Sequence, residues 1–195
     1  MERDRLTAFS DGVFAIIITI MVLYLKIPQG SDLSALVPEI PDFFSYALSF
    51  VYVAIYWNNH HHMMNTVPRV SGPILWANTN LLFWLSLIPF ATAWMGENHF
   101  ASTPTAIYGV ALFLPAIAYV VLQKTIIRFQ GPDSLLAKAL GRDIKGKISP
   151  LLYLTAILLA FIQPWLANLL YALVALIWLI PDRRIEDRVK TPKAG

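Results

Sequence analysis

Polar side chains that interrupt long apolar sequence are the places where this chain could do chemistry. Ser10 and Asp11 open one apolar block, Asn58, Asn59, His60, His61 and His62 close a second, and Asn78, Thr79 and Asn80 open a third. A polar or ionisable group at membrane depth is functional by default. Three histidines suggest a metal or a proton site. Consecutive residues on a helix, however, point about 100° apart, so one helix cannot aim all three at one ion, and the H-E-x-x-H spacing of helical zinc sites is absent. The preferred reading is a hydrogen-bonded network that fixes how three helices pack, because unpaired polar groups there would cost several kcal/mol each. No metal site and no cofactor is expected, and His99 is read as an exposed loop residue.

The elements that must position these residues follow from composition. Among 195 residues there are 15 basic and 12 acidic ones, and hydrophobic residues make up 57%. The mean hydropathy is +0.58. A soluble domain of this size cannot bury so much apolar surface, and a disordered chain is poor in such residues. Zero cysteines exclude a disulfide scaffold. The net charge of +3 is too small, and too scattered between apolar blocks, for nucleic-acid binding. The expected class is an all-α polytopic membrane protein in contact with a lipid bilayer, forming a single transmembrane domain over residues 1–195.

A helical span needs about 20 apolar residues. Residues 9–25, 43–60, 74–95 and 105–123 supply four. An uncharged stretch over 148–180 is long for one span, and Gln163-Pro164 near its middle suggests a hairpin of two. Lys and Arg collect in cytoplasmic loops, and that rule decides the count. Six spans with both termini cytoplasmic place fourteen basic residues inside and Lys26 alone outside. Five spans would put the tail residues Arg183, Arg184, Arg188, Lys190 and Lys193 outside. The first span lacks the small-residue end of a cleaved signal peptide. Pro89 and Pro115 are expected to kink spans three and four, and Ser134 to Leu140 to form a short amphipathic piece at the membrane surface. In this topology the three polar sets share one depth near the inner leaflet, so they can meet.

Enzyme readings lack parts: there is no G-x-S-x-G elbow, no cysteine nucleophile and no Walker motif. Asp11 could instead carry a proton or cation in a coupled secondary transporter. Such proteins usually show inverted repeats and helices interrupted at the midplane, whereas Asp11 lies toward one helix end and no half-length repeat is evident.

The first block reads Arg5-x-x-x-Phe9-Ser10-Asp11. This R-x-x-x-F-S-D signature resembles the start of the transmembrane protein 175 family of potassium channels, in its single-repeat prokaryotic form. Trp57 followed by His60 and His61, and Asn78 or Asn80 followed by Pro89-Phe90, are also similar to that family. The resemblance implies a potassium-permeable channel, also open to other monovalent cations, in a prokaryotic cell membrane. It implies a homotetramer whose pore is lined by the first helix and lacks a T-V-G-Y-G filter. It further implies that Arg5, Phe9, Ser10 and Asp11 brace the helices, with Trp57, His60, His61 and a span-three asparagine as partners. The family places an apolar constriction five residues beyond the aspartate, which here is Ile16. Ile20 and Leu23 continue that face, and Thr19 offers a polar ring beside it. Without the resemblance, the i, i+4, i+7 stripe would read as lipid-facing or packing surface.

Overall fold

A computed structural model describes residues 2–140 and 144–179. Arg142 and the basic tail residues invoked in the charge count lie outside the described residues. The helices are α1 (Arg3–Val22), α2 (Ile40–Asn65), α3 (Gly72–Leu85), α4 (Ile88–Glu97), α5 (Ser102–Gln130), α6 (Leu135–Leu140), α7 (Ile144–Ala160) and α8 (Pro164–Leu179), with a 3-10 segment at Leu33–Glu39. Among the described residues there is no strand.

Proline sets several of the boundaries. Pro41, Pro73 and Pro89 occupy the first turns of α2, α3 and α4, and α8 begins at Pro164. A first-turn proline loses nothing, because its missing N–H would have had no partner in the helix. Pro89 therefore does more than kink the third apolar block. It opens a new helix after a break at Ser86-Leu87, where the Ser86 hydroxyl donates to the Phe83 carbonyl at 2.7 Å. Pro115 behaves differently and sits inside a continuous α5. That helix ends at Gly131, whose φ of +93° suits glycine and whose N–H bonds the Ile127 carbonyl at 2.8 Å.

Among the described residues, four stretches are long and apolar enough to cross a membrane: Arg3–Val22, Leu33–Asn65, Gly72–Glu97 and Ser102–Gln130. The expected hairpin is present in the remaining block, as α7 and α8 pack antiparallel around a tight turn whose Gln163 N–H reaches the Leu159 carbonyl at 2.7 Å. These two helices have 17 and 16 residues. Leu135–Leu140 is helical as expected and turns Leu136 and Ala139 inward.

Helix α5 is the hub, packing against α3, α4, α7 and α8, while α1 lies to one side against α2, α3 and α4. The core carries several polar ties. The Tyr52 hydroxyl donates to the Tyr171 carbonyl at 2.6 Å, and the Tyr171 hydroxyl donates to the Thr105 carbonyl at 3.2 Å. Ser49 Oγ lies 2.9 Å from the Tyr108 hydroxyl and 2.7 Å from that of Thr92. These bonds bridge α2, α4, α5 and α8 where lipid offers no alternative partner. They hold the bundle against which α1 is fixed.

Candidate functional site

Helix α1 has two faces. Leu6, Ser10, Phe14, Ile17 and Met21 are buried against the bundle. Phe9, Ile16, Ile20 and Leu23 point away, at 59%, 57%, 39% and 79% exposure. Thr19 is exposed on the same side, and Gly12 there has open space where a side chain would stand. The outward residues Phe9, Gly12, Ile16, Thr19 and Leu23 are spaced alternately by three and four. That spacing keeps a seam on one side of a helix, as when helices pack around a common axis.

The buried face is anchored by a chain of hydrogen bonds through three helices. The Ser10 hydroxyl donates to the Leu6 carbonyl at 2.9 Å. Its single proton is thereby used, so the Ser10 oxygen must accept, and it does so from Asn78 Nδ2 at 3.0 Å. This fixes the amide orientation and turns Asn78 Oδ1 toward His60 Nε2 at 2.7 Å. An amide oxygen only accepts, so His60 carries its proton on Nε2. Ser10, His60 and Asn78 are each fully buried. Phe14, one turn beyond Ser10, sets its ring 5.5 Å from the imidazole.

Asp11 does not enter this chain. Its carboxylate accepts from the Trp57 indole N–H at 3.0 Å on the exposed edge of the α1–α2 contact. His61 stands beside Trp57, with ring centroids 6.1 Å apart, and its Nε2 is 3.1 Å from Asn65 Nδ2. His60 and His61 thus serve different groups, as the 100° rotation between neighbours requires. Asn78 faces inward, whereas Asn80 is exposed and accepts from the Trp84 indole at 3.2 Å on its own helix. Arg5 is exposed, with no ion-pair partner among the described residues. Among the described residues no cluster of three His, Cys, Asp or Glu could hold a metal ion.

Sequence reasoning named Ser10, Asp11, Trp57, His60 and Asn78 but left the pairings open. It missed the Leu6 carbonyl, Phe14, Asn65 and Trp84. Phe14 was within reach, since it lies four residues from Ser10 and so shares its face. A carbonyl acceptor leaves no mark in a sequence.

The Thr19 hydroxyl is also committed. It lies 2.9 Å from the Ala15 carbonyl and 3.1 Å from that of Ile16. Its proton points back into the helix, which leaves the oxygen lone pairs facing outward.

The site is contained in one recognisable segment. A family profile described as the endosomal/lysosomal potassium channel TMEM175 matches residues 5–89. A potassium channel from Chryseobacterium sp. (strain P1-3) is 55% identical over 97% of this chain and 99% of its own length. The chain belongs to the TMEM175 family. Another relative, a potassium channel from Chamaesiphon minutus, is 34% identical over 85% of this chain and 88% of that protein. The crystal structure of a Chamaesiphon minutus homolog of the lysosomal potassium-selective channel TMEM175 superposes with a TM-score of 0.77. It covers 92% of this chain and 97% of that one at 28% identity. The TMEM175 likeness therefore extends over the whole bundle, while the profile match alone contains every residue from Arg5 to Asn80 discussed above. TMEM175 proteins are ion channels, which agrees with the missing enzyme motifs. The chain is a multi-pass membrane protein of this family.

Proposed function

We propose that four copies of this chain assemble around their α1 helices into a potassium-permeable cation channel of the cell membrane, conducting passively along the symmetry axis. The observation that carries the reading is the two-faced α1. One side is fixed to the bundle by Ser10, Asn78 and His60, and the other leaves Ile16, Thr19, Ile20 and Leu23 exposed among the described residues. The potassium-channel names of the two bacterial relatives support the choice of ion.

In this assembly four Ile16 side chains form an apolar ring that closes the pore sterically or by dewetting. Isoleucine offers no oxygen to replace a hydration shell, so the ring gates more than it selects. The Thr19 oxygens lie about 4.5 Å further along the helix axis. With their protons held by the backbone, they present only lone pairs and so favour a partly hydrated cation over an anion. The bridges at Trp57–Asp11 and Ser10–Asn78–His60 keep the α1 register steady while the ring opens. Helices α7 and α8 are each about 25 Å long, enough to cross a thin hydrocarbon core with their flanking residues. Counting them gives six spans with both termini cytoplasmic.

Coupled transport through Asp11 fits less well. Its carboxylate already accepts from the Trp57 indole, although Asp11 stands near the middle of α1 and not toward its end as expected.

Ion flux from potassium-loaded proteoliposomes tests the reading. Flux should follow the potassium gradient, persist with a proton uncoupler present and fall when sodium replaces potassium. Ile16→Asn should raise it, because an amide wets the ring. Strict dependence on a proton or sodium gradient would point to transport, and an Ile16→Asn rate and selectivity equal to wild type would remove Ile16 from the constriction.

A further inference from the structure

We propose that a groove between the α2–α3 turn and the C-terminal end of α5 is a binding site for an anionic phospholipid, its phosphate on Arg69 and an acyl chain along Phe129 and Leu135. The placement in the inner leaflet rests on the orientation proposed above; the binding chemistry does not.

The groove has a volume of about 420 Å³ and is lined by Pro68, Arg69, Phe129, Gln130, Ser134 and Leu135. Its walls are tied together, since Gln130 Nε2 donates to the Thr66 carbonyl at 3.3 Å. Arg69 is exposed and has no ion-pair partner among the described residues. The nearby acid, Asp133, is paired with Lys138 at 3.4 Å, and among the described residues no acidic side chain lines the groove. Phe129 and Leu135 are 53% and 52% exposed, on the wall away from Arg69's turn.

Each half of this lining excludes a simpler occupant. A bare phosphate would satisfy Arg69 and leave two large apolar side chains uncovered. A neutral chain would cover them and leave a guanidinium unpaired, although guanidinium groups bind phosphate in a two-pronged geometry. A zwitterionic headgroup brings its own cation beside Arg69. An anionic phospholipid satisfies both halves at the level where α2 and α5 leave the membrane. Basic pockets between helices on the cytoplasmic side recognise such headgroups by the same chemistry.

The test is lipid retention by the purified full-length channel in detergent, read by native mass spectrometry with phosphatidylglycerol and phosphatidylcholine supplied equally. Wild type should retain phosphatidylglycerol preferentially. Arg69→Gln should lower that retention about fivefold, the expected scale for one basic contact with an anionic headgroup. Lys124→Gln, which removes an exposed charge on another turn of α5, should leave it unchanged. Leu135→Ser should weaken retention with every charge intact. Equal loss in Arg69→Gln and Lys124→Gln would reduce the effect to diffuse charge and overturn the site. So would equal retention of the two lipids, or displacement of the lipid by millimolar inorganic phosphate. Orientation is read separately, by labelling Asp133→Cys in intact cells with a membrane-impermeant maleimide. Labelling from outside would refute the inner-leaflet placement and leave the detergent result standing.

Discussion

The Ser10 hydroxyl has one proton, and its use on the Leu6 carbonyl determines every later bond in the buried chain. Asn78 is the middle member, donating to one helix and accepting from another. Asn78→Leu preserves volume but leaves the His60 N–H and the Ser10 lone pairs without partners. A buried polar group left unpaired costs about 1–3 kcal/mol. The thermal midpoint in detergent should therefore fall by roughly 4–8 °C for a loss of about 2 kcal/mol. The asymmetry of hydrogen-bond energetics supplies the control: Ser10→Ala, Asn78→Leu and His60→Phe together should cost less than Asn78→Leu alone, because no orphan remains. If the triple variant is the least stable, the chain contributes more than satisfaction of its own members. Thr19 makes a separate claim at the same scale. Thr19→Val keeps the shape and removes only the outward oxygen, so it should lower the potassium-to-sodium permeability ratio in bilayer recordings while leaving the thermal midpoint within about 1 °C. An unchanged ratio would place the selectivity elsewhere in the pore.

Among the elements, α5 and α8 approach closely at Gly109. A side chain added at Gly109 would overlap the Tyr171 hydroxyl and come within 2.7 Å of Ile157. Tyr171 is fully buried and held by its bond to Thr105, so it cannot simply step aside. Gly109→Ala should destabilise the protein by about 1–3 kcal/mol, the usual range for overpacking. Removing the hydroxyl with Tyr171→Phe relieves part of the clash, so the double variant should melt above Gly109→Ala. Strict additivity of the two losses would deny the contact. This packing also shows what the sequence could not convey. The apolar blocks, the Gln163-Pro164 hairpin and the short piece before Leu140 were all legible, because length and proline placement mark them directly. The split at Ser86-Leu87 was not, since a proline inside an apolar run reads alike whether it bends a helix or starts another. Nor were the faces: beyond Asp11, α1 is apolar on every side but for Thr19, and Ser10, Asp11 and Thr19 do not by themselves say which side is buried. His60 and His61 differ in role solely through their rotation about α2, which matters only once its neighbours are in place.

At the level of the whole molecule, the proposed tetramer covers the exposed face of α1, and the assembly should respond where the subunit does not. The Asp11–Trp57 bond lies on the exposed edge of the α1–α2 contact, where such a bond contributes little to folding of one subunit. That edge adjoins the outward seam bearing Phe9 and Gly12, so a second copy packed there would shield the carboxylate and strengthen its bond with the indole. Asp11→Ala should consequently shift the mass measured by light scattering in detergent from four copies toward one. The thermal midpoint of the separated subunit should move by no more than a few degrees. Trp57→Phe, which deletes the donor and keeps most of the ring, should shift the assembly in the same direction. The absence of native cysteine permits a direct check of the geometry. Leu23→Cys, at the exposed end of the seam, should form a disulfide between subunits under mild oxidation. Val22→Cys, rotated about 100° from it, should crosslink less. Equal crosslinking at both positions, or an Asp11→Ala protein that remains fully tetrameric, would separate the seam from the symmetry axis and require another helix to line the pore.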